Sequence, residues 1–169
     1  YGRGDESMNL YAWSKYTGEA LASMSNAVSL RYFNVYGPGE EHKGNMASIF
    51  YQAWVEQQKG RKIKLFPLEP RRDFIYISDV VEANLYAWEF YPYFRGKTFD
   101  VGTGSARLFE DGMNIMEIPF EYNNTKAIPE NYQFYTKASD HRFMVNWMAK
   151  VSLEEGLKKY MEYLKNKSI

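Results

Sequence analysis

The chain contains no cysteine, and only two histidines occur among its 169 residues. Without cysteine the protein has no disulfide framework, no thiolate metal site and no cysteine nucleophile. His42 and His141 are isolated in the sequence, with no partners at the spacing of metal ligands, so we expect no metal site. Basic and acidic residues balance at 21 each, which leaves no net charge to favour nucleic acid or anionic lipid as a partner.

Long apolar runs are also missing, because no segment is long enough and apolar enough to cross a bilayer. The first residues do not resemble a signal peptide, so we expect a cytoplasmic protein without membrane attachment. A Gly-x-Gly-x-x-Gly loop between a strand and a helix, the phosphate cradle of dinucleotide-binding folds, is absent as well. Gly102-Thr103-Gly104 has no third glycine in register. If the protein uses a dinucleotide, we expect the cradle to lie upstream of residue 1 and the chain to be a fragment.

Aromatic residues are abundant, with 15 Tyr, 11 Phe and 4 Trp. Such rings fill a core by default, although they also line pockets for flat or sugar-like ligands. Apolar periodicity predicts alternating helices and strands, and therefore the α/β class. The predicted helices cover 8–25, 46–59, 78–90 and 153–166, and the predicted strands cover 28–35, 63–66, 74–77, 97–101 and 115–119. Ser78 or Asp79 is expected to cap the third helix and Ser152 the last, and a loop is expected at 67–72.

Tyr11 and Lys15 form a Tyr-x-x-x-Lys pair within the first predicted helix. Residues four apart share a helix face, so the ammonium would lie beside the phenol and favour proton exchange with a sugar hydroxyl. The spacing alone is weak support, because chance produces such pairs in a chain this rich in Tyr and Lys. The same spacing recurs at Tyr93/Lys97, Tyr122/Lys126 and Tyr163/Lys167, where a surface pair is the simpler interpretation. Context separates Tyr11, which precedes a predicted buried strand by about one helix length.

Four segments resemble, in the same order, landmarks of the extended short-chain dehydrogenase/reductase family. They are 11–15 (Tyr-x-x-Ser-Lys), 31–38 (Arg-Tyr-Phe-Asn-Val-Tyr-Gly-Pro), 71–80 (Arg-Arg-Asp-Phe-Ile-Tyr-Ile-Ser-Asp-Val) and 99–104 (Phe-Asp-Val-Gly-Thr-Gly). The resemblance covers nearly the whole chain. It implies the C-terminal part of a Rossmann-type parallel sheet fold plus a smaller α/β substrate-binding region. Residues 1–36 would end the dinucleotide-binding domain, 37–169 would mainly bind substrate, and 74–104 would return to the Rossmann sheet.

Two further segments are similar to one branch of this family, the ADP-glycero-manno-heptose 6-epimerases. Residues 41–48 resemble its His-Lys-Gly-Ser-Met-Ala-Ser segment, with Asn45 in place of Ser, and 132–138 resemble its Tyr-Gln-x-x-Thr-x-Ala segment. The resemblance implies epimerisation of ADP-D-glycero- and ADP-L-glycero-manno-heptose at C6″ by transient oxidation, for lipopolysaccharide core synthesis. It also implies bound NADP, with NAD as the alternative, a nucleotide-diphosphate sugar as the substrate, and a homo-oligomer.

The resemblance also assigns roles to individual residues. Tyr11 and Lys43 would be acid/base groups on opposite sides of the reacting carbon, and Lys15 would complete the catalytic set by holding the nicotinamide ribose and assisting Tyr11. Lys43 and the backbone at Val35 would also contact the cofactor. The residues expected to bind the nucleotide-sugar are Asn34, Asn45, Phe66, Arg72 and Tyr132. The planar guanidinium of Arg72 suits this role, because guanidinium groups bind diphosphate or ribose oxygens bidentately.

Several of these residues also have a plainer interpretation. Lys43 lies in a glycine-flanked loop and could be a solvated lysine. Arg72 could pair with Asp73 or Asp79, and Asn34 could be a turn residue at the end of its strand.

Two rival functions remain open. The nearest is a 4-epimerase or 4,6-dehydratase that acts on a UDP-, GDP- or dTDP-sugar, and the other is a truncated, non-catalytic remnant. The segment after Gly104 departs from the family pattern, because 105–114 is too short for the family's helix of several turns before the predicted strand at 115–119.

Overall fold

The computed structural model describes residues 10–123 and 132–167. Its helices are α1 (Leu10–Met24), α2 (Ile49–Gln58), α3 (Ile77–Glu89), α4 (Tyr91–Phe94), α5 (Phe109–Met116) and α6 (Leu153–Asn166). Its strands are β1 (Ser29–Tyr32), β2 (Asn34–Tyr36), β3 (Ile63–Leu65), β4 (Arg71–Tyr76), β5 (Thr98–Val101), β6 (Ala106–Leu108) and β7 (Phe120–Tyr122). Short 3-10 helices cover Glu41–Met46 and Asp140–Arg142. The alternation of helices and strands confirms the predicted α/β class.

Parallel pairing dominates the sheets. β1 pairs with β5, β2 with β4 and β3 with β7, all in parallel, while β6 runs antiparallel to β4. The prediction of one strand at 28–35 is wrong in one respect, because the strand is broken at Phe33. The Phe33 N–H still donates to the Val101 carbonyl at 3.1 Å, on the β5 side, whereas Asn34 is in register with Phe74 of β4. The chain therefore changes its strand partner at this residue.

The predicted strand at 115–119 is wrong, and so is the absence of a helix after Gly104. A helix of eight residues, α5, begins at Phe109 and continues to Met116, where the strand was expected to have started. Glu117 then adopts a left-handed φ of 56°, and the N–H of Ile118 donates to the Met113 carbonyl at 3.0 Å. This hydrogen bond closes the last turn of the helix, and β7 begins only at residue 120.

The predicted cap of α3 is wrong as well. The helix begins at Ile77, directly after β4, so Ser78 and Asp79 lie inside its first turn. The buried Asp79 carboxylate instead accepts hydrogen bonds from the N–H groups of Lys150 and Val151, at 3.1 and 2.9 Å. Asp79 thus fastens the chain that enters α6 and has no role as a helix cap.

The predicted last helix and its cap are confirmed. α6 spans 153–166, and the Ser152 side chain accepts a hydrogen bond from the Glu155 N–H at 3.1 Å. The predicted loop at 67–72 ends too late, because β4 already begins at Arg71. Arg71 is drawn into the strand by pairing with β6, where it lies in register with Leu108.

Many of the aromatic rings fill the core, in line with the default interpretation of the composition. Tyr36, Phe50 and Phe74 pack together under α2 and α6, with ring centroids 5.1 Å apart for Tyr36–Phe50 and 4.7 Å for Phe50–Phe74. A second buried cluster includes Ile75 and Val101 of the parallel strands and packs under α3. By contrast, none of the residues of α1 is buried against the described parts of the chain. No helix within those parts has the length and apolarity that a membrane span requires.

Gly112 marks the closest contact between α5 and α2. A Cβ at this position would lie 2.1 Å from Cε1 of Phe50, a ring that is fully buried. We expect Gly112→Ala to lower the free energy of unfolding by about 1–3 kcal/mol, because the ring must shift in a packed core. Gly18→Ala is the matched control, since no atom of 10–123 or 132–167 would lie within 4 Å of an added Cβ, and it should raise helix stability by about 0.5–1 kcal/mol. Urea denaturation of both variants measures the difference; equal stabilities would contradict the packing described.

Candidate functional site

Tyr11 and Lys15 lie on one face of α1, as predicted from their spacing. The Lys15 ammonium is 5.3 Å from the centroid of the Tyr11 ring. Both side chains, with Ser14, line a cavity of about 480 Å³ between α1 and β1. More than half of the Tyr11 side chain is exposed to solvent within the described part of the chain, so the phenol is accessible to a ligand.

The other Tyr-x-x-x-Lys pairs differ from this one. Lys167 donates to the Tyr163 hydroxyl at 3.1 Å, and both groups also bind Glu41, so this pair is structural. Tyr93 is 73% exposed at the end of the short helix α4. Lys126, the partner in the remaining pair, lies outside the described residues. The pair on α1 is therefore distinguished by the cavity that it lines.

An ion-pair network that the sequence did not reveal holds α1 against the sheet. Arg31 of β1 donates from Nε to Glu19 of α1 at 2.7 Å, and its Nη1 lies 3.6 Å from Oδ1 of Asp100 on β5. The hydrogen bond to Glu19 raises the pKa of the Arg31 guanidinium above its ordinary value. Because the pair joins a helix to two adjacent strands, it sets the orientation of the helix face that carries Tyr11.

Asn34 opens β2 and presents a polar atom without a partner. Its Oδ1 is buried and accepts no hydrogen bond from any residue in 10–123 or 132–167. A buried amide oxygen without a donor costs about 1–3 kcal/mol, so such an atom is usually completed by a ligand or by water. The adjacent Val35, a predicted cofactor contact, is half-buried on the same strand. This end of the sheet fits a small ligand that supplies a hydrogen-bond donor.

Lys43 and Asn45 belong to the segment between β2 and α2. Both side chains are exposed, and the Lys43 N–H donates to the Glu40 carbonyl at 3.0 Å. Gly44 between them has φ 53° and ψ −124°, a conformation that favours glycine. The Asn45 carbonyl accepts from Nε2 of Gln52 at 3.2 Å. The turn thus exposes the side chains of Lys43 and Asn45 to solvent, while hydrogen bonds hold its backbone.

Asn45 also lines a groove of about 830 Å³ between this segment, α2 and β3. Gln52 also lines the groove, and its rim carries charges of both signs. The rim consists of Glu56, Lys59, Arg61, Lys62, Lys64 and Glu121, in which Glu56 pairs with Lys59 and Arg61, and Glu121 pairs with Lys64. The sequence did not identify Gln52 or the rim, because only the fold brings α2 and β3 to the same opening.

Phe66, Arg72 and Tyr132, three of the residues predicted to bind substrate, form one cluster. The rings of Phe66 and Tyr132 are 5.1 Å apart, and the Arg72 guanidinium lies 5.2 Å from the centroid of Tyr132. Phe109, which the sequence did not identify, has its ring centroid 5.9 Å from the guanidinium. Arg72 is only 6% exposed, and its Nη1 donates to the Arg71 carbonyl at 2.9 Å. A buried guanidinium beside aromatic rings suits an anionic group on a flat or sugar-bearing ligand.

The alternative interpretation of Arg72, as an ion-pair partner of Asp73 or Asp79, is wrong. Asp73 accepts hydrogen bonds from the N–H groups of Thr103, Gly104 and Ala138, at 2.8 to 3.0 Å. Asp79 is occupied by the chain before α6, as described above. The charge of Arg72 is therefore not neutralised by either carboxylate.

No group of three His, Asp or Glu side chains within 10–123 and 132–167 is placed to hold a metal ion. Most of the predicted site residues fall into three groups of neighbouring residues. They are the Tyr11–Lys15 pair, the Lys43–Asn45 turn, and the cluster of Phe66, Arg72 and Tyr132. The first grouping adjoins β1, and the orphaned oxygen of Asn34 lies on the strand that follows.

The chain is similar to several known nucleotide-sugar enzymes. It is 34% identical to the ADP-L-glycero-D-manno-heptose-6-epimerase of Brachyspira hyodysenteriae, over 93% of this chain and 54% of the relative. Its structure superposes on that of the Helicobacter pylori ADP-L-glycero-D-manno-heptose-6-epimerase with a TM-score of 0.77 and 27% identity, over 93% of this chain and 51% of the other. The UDP-glucose 4-epimerase of Thermotoga maritima, solved with UDP-glucose, gives a TM-score of 0.74 and 27% identity over 92% and 53%.

The chain thus spans about half the length of each of these relatives. The resemblance expected from the sequence motifs is confirmed, and so is the partial Rossmann-type α/β fold. The model of the NAD dependent epimerase/dehydratase family matches residues 3–102, which include the Tyr11–Lys15 pair, the Lys43 turn and Arg72. From this match, which covers more than half of the chain, we conclude that the chain belongs to the NAD dependent epimerase/dehydratase family.

Proposed function

We propose that the protein is a nucleotide-sugar epimerase that interconverts ADP-D-glycero- and ADP-L-glycero-manno-heptose at C6″ by transient oxidation with bound NADP. The observation that carries the proposal is the buried Arg72, whose guanidinium lies 5.2 Å from the ring centroid of Tyr132 and 5.9 Å from that of Phe109. Its charge suits the diphosphate of a nucleotide sugar, and the surrounding rings offer flat surfaces to a base or a sugar. The 34% identity to a heptose epimerase favours this sugar over others.

The residues of α1 and β2 fit the nicotinamide end of the cofactor. When bound, NADP supplies hydride acceptance and hydride return at the reacting carbon. Lys15, beside the cavity between α1 and β1, holds the nicotinamide ribose. The backbone at Val35 and the Lys43 side chain contact the same end. NAD is the alternative cofactor.

Tyr11 and Lys43 move the proton of the substrate hydroxyl. In the proposed reaction the oxidised sugar presents its other face before hydride returns, and one acid/base group serves each orientation. Tyr11 acts from α1 and Lys43 from the turn before α2, two separate elements of the fold. Asn34, with its orphaned Oδ1, accepts a hydrogen bond from the substrate. Asn45 binds the nucleotide sugar from the groove that it lines.

The proposal extends to the features that accompany this activity. Residues 1–36 end the dinucleotide-binding domain, 37–169 mainly bind substrate, and 74–104 return to the Rossmann sheet. The protein acts as a homo-oligomer in the cytoplasm, and its product enters lipopolysaccharide core synthesis.

Incubating the full-length protein with ADP-D-glycero-manno-heptose, in parallel with UDP-sugars, tests the substrate. Inversion of the configuration at C6″, monitored by NMR, supports the proposal. The second candidate is a 4-epimerase, which the similarity to the UDP-glucose 4-epimerase of Thermotoga maritima favours. Inversion at C4 of a UDP-sugar would establish that candidate, release of water would indicate a 4,6-dehydratase, and no turnover of any substrate would indicate a non-catalytic remnant.

Lys43 gives the sharpest residue-level test of the two-sided mechanism. We expect Lys43→Ala to lower kcat by about 10²-fold or more, since an acid/base group contributes about 10²–10⁴. Lys158→Ala is the control, because Lys158 is exposed on α6 and has no role in the proposed site. Steady-state rates of heptose epimerisation measure both. A rate for Lys43→Ala equal to that of the control would show that Lys43 is only a solvated lysine.

A further inference from the structure

Two consecutive glutamates hold the turn that carries Lys43 and Asn45. Glu40, 3% exposed, accepts the Ser48 N–H on Oε2 at 2.6 Å. Its Oε1 accepts the hydroxyl of Ser48 at 2.7 Å and the hydroxyl of Tyr160, on α6, at 2.8 Å. The carboxylate therefore joins the start of the turn to the start of α2 and to a distant helix.

Glu41 makes a second connection to the same helix. Its Oε1 accepts the Tyr163 hydroxyl and the Lys167 ammonium, each at 2.8 Å. The hydrogen bond from Lys167, with a contribution from Tyr163, lowers the pKa of Glu41 to about 2. The carboxylate is therefore ionised near neutral pH, and α6 and the turn stay joined there.

Two of the donors lie on α6 and the third directly follows it. Tyr160 and Tyr163 are three residues apart and therefore project from the same face of the helix, and Lys167 comes just after Asn166, the last helical residue. Burial raises the pKa of Tyr160, and the adjacent Glu40 raises it further, so the phenol keeps its proton and remains a donor. α6 thus presents a fixed set of donors to the two carboxylates.

We propose that Glu40, held by Tyr160, is a positioning residue that fixes the turn carrying Lys43 and Asn45. The Lys43 N–H donates to the Glu40 carbonyl at 3.0 Å, and the Ala47 N–H donates to the Gly44 carbonyl at 3.1 Å, so the backbone of the turn is linked directly to Glu40. The inference rests on the proposed function, because Lys43 is a reacting group only there.

A carboxylate suits this position for a chemical reason. The site offers four donors, from Gly37 N–H, Ser48 N–H, Ser48 Oγ and Tyr160 OH, and an ionised carboxylate is purely an acceptor. Glutamine keeps the shape and one acceptor oxygen, while the two hydroxyl groups can rotate to accept from its amide. Glu40→Gln should therefore retain most of the positioning, and Glu40→Ala should lose it.

The test compares Tyr160→Phe, Glu40→Ala and Glu40→Gln in the full-length protein, by steady-state kinetics and by amide hydrogen exchange of segment 41–47. Tyr160→Phe removes a single hydroxyl. The control is Tyr86→Phe, because Tyr86 lies on α3 and its hydroxyl donates to the Val145 carbonyl at 2.8 Å, a contact that does not involve the turn. We expect Glu40→Ala to lower kcat about a hundredfold, since misplacing a reacting group by about 1 Å costs about 10²-fold. Tyr160→Phe removes only one of the hydrogen bonds to Glu40, and we expect it to lower kcat about tenfold. KM should rise as well, because Asn45 lies on the same turn, but by less than kcat falls, and exchange in 41–47 should rise about tenfold.

The outcomes separate the positioning role from the proposed function. Rescue of kcat by Glu40→Gln, with slow exchange restored, supports the positioning role. Parental kcat in Tyr160→Phe and Glu40→Ala, with parental exchange in 41–47, overturns it, even if both variants melt at a lower temperature. If the parent protein converts no nucleotide sugar, the proposed function fails by itself, and the exchange rates alone decide whether Glu40 fixes the turn.

Discussion

Replacing Tyr11 by phenylalanine should lower kcat for epimerisation by about 10²–10⁴-fold, the contribution of a positioned acid/base group. The substitution removes only the hydroxyl, and the ring that contacts the Lys15 ammonium remains. Because Tyr11 is more than half exposed and lines an open cavity, the loss should not disturb the core. KM for the nucleotide sugar should change little, since binding is assigned to Arg72 and its surrounding rings. Initial rates at saturating substrate, with the melting temperature of each variant, measure the effect.

The chain supplies a matched control for this substitution. Tyr93→Phe removes a hydroxyl from another Tyr-x-x-x-Lys pair. Tyr93 is 73% exposed and is 82 positions from Tyr11 in the sequence. It should leave kcat unchanged. A Tyr11→Phe enzyme as active as the Tyr93→Phe enzyme would show that the pair on α1 is another surface pair, and the proposed chemistry would lose its first proton-transfer group.

The long terminal helices α1 and α6 were more predictable than α5, which the sequence did not reveal. Their patterns depend on neighbours within a few residues, and for α6 this allowed Ser152 to be identified as a cap from sequence. The pairing of the strands was less predictable, because it depends on partners far along the chain. The break at Phe33 illustrates this, since the residue itself is typical of a strand and only the switch from β5 to β4 interrupts it.

The candidate site divides in the same way. Phe66, Arg72 and Tyr132 could be predicted because family motifs carry them, and the structure brings them into contact. Glu40 could not be predicted, because a glutamate in a loop rich in glycine and proline is usually exposed to solvent. Its donors come from residues 48 and 160, and the second of these is 120 positions away. Only the folded chain shows that this carboxylate is buried.

Asp73 was also misjudged from sequence, and it provides the prediction with the largest expected effect on stability. Its fully buried carboxylate accepts from Thr103 N–H at 2.8 Å, Thr103 Oγ1 at 2.6 Å, Gly104 N–H at 2.9 Å and Ala138 N–H at 3.0 Å. A Cβ on Gly102 would lie 2.8 Å from its Oδ2, so the loop after β5 is wrapped closely around the carboxylate. This side chain thus ties the loop after β5 to the segment around Ala138, whose preceding residues already pair with β4 through the Arg71–Tyr135 bridge.

Asp73→Ala should lower the free energy of unfolding by about 3–5 kcal/mol, because it leaves several buried donors without their charged acceptor. Asp73→Asn should cost less, since it keeps one acceptor oxygen but turns an amide N–H₂ toward the remaining donors. Asp140→Ala is the control: Asp140 is exposed, and its removal should change stability by less than about 0.5 kcal/mol. Urea denaturation of the full-length variants orders the three. If Asp73→Ala unfolded at the same urea concentration as Asp140→Ala, the four hydrogen bonds of Asp73 would not be needed to hold these loops.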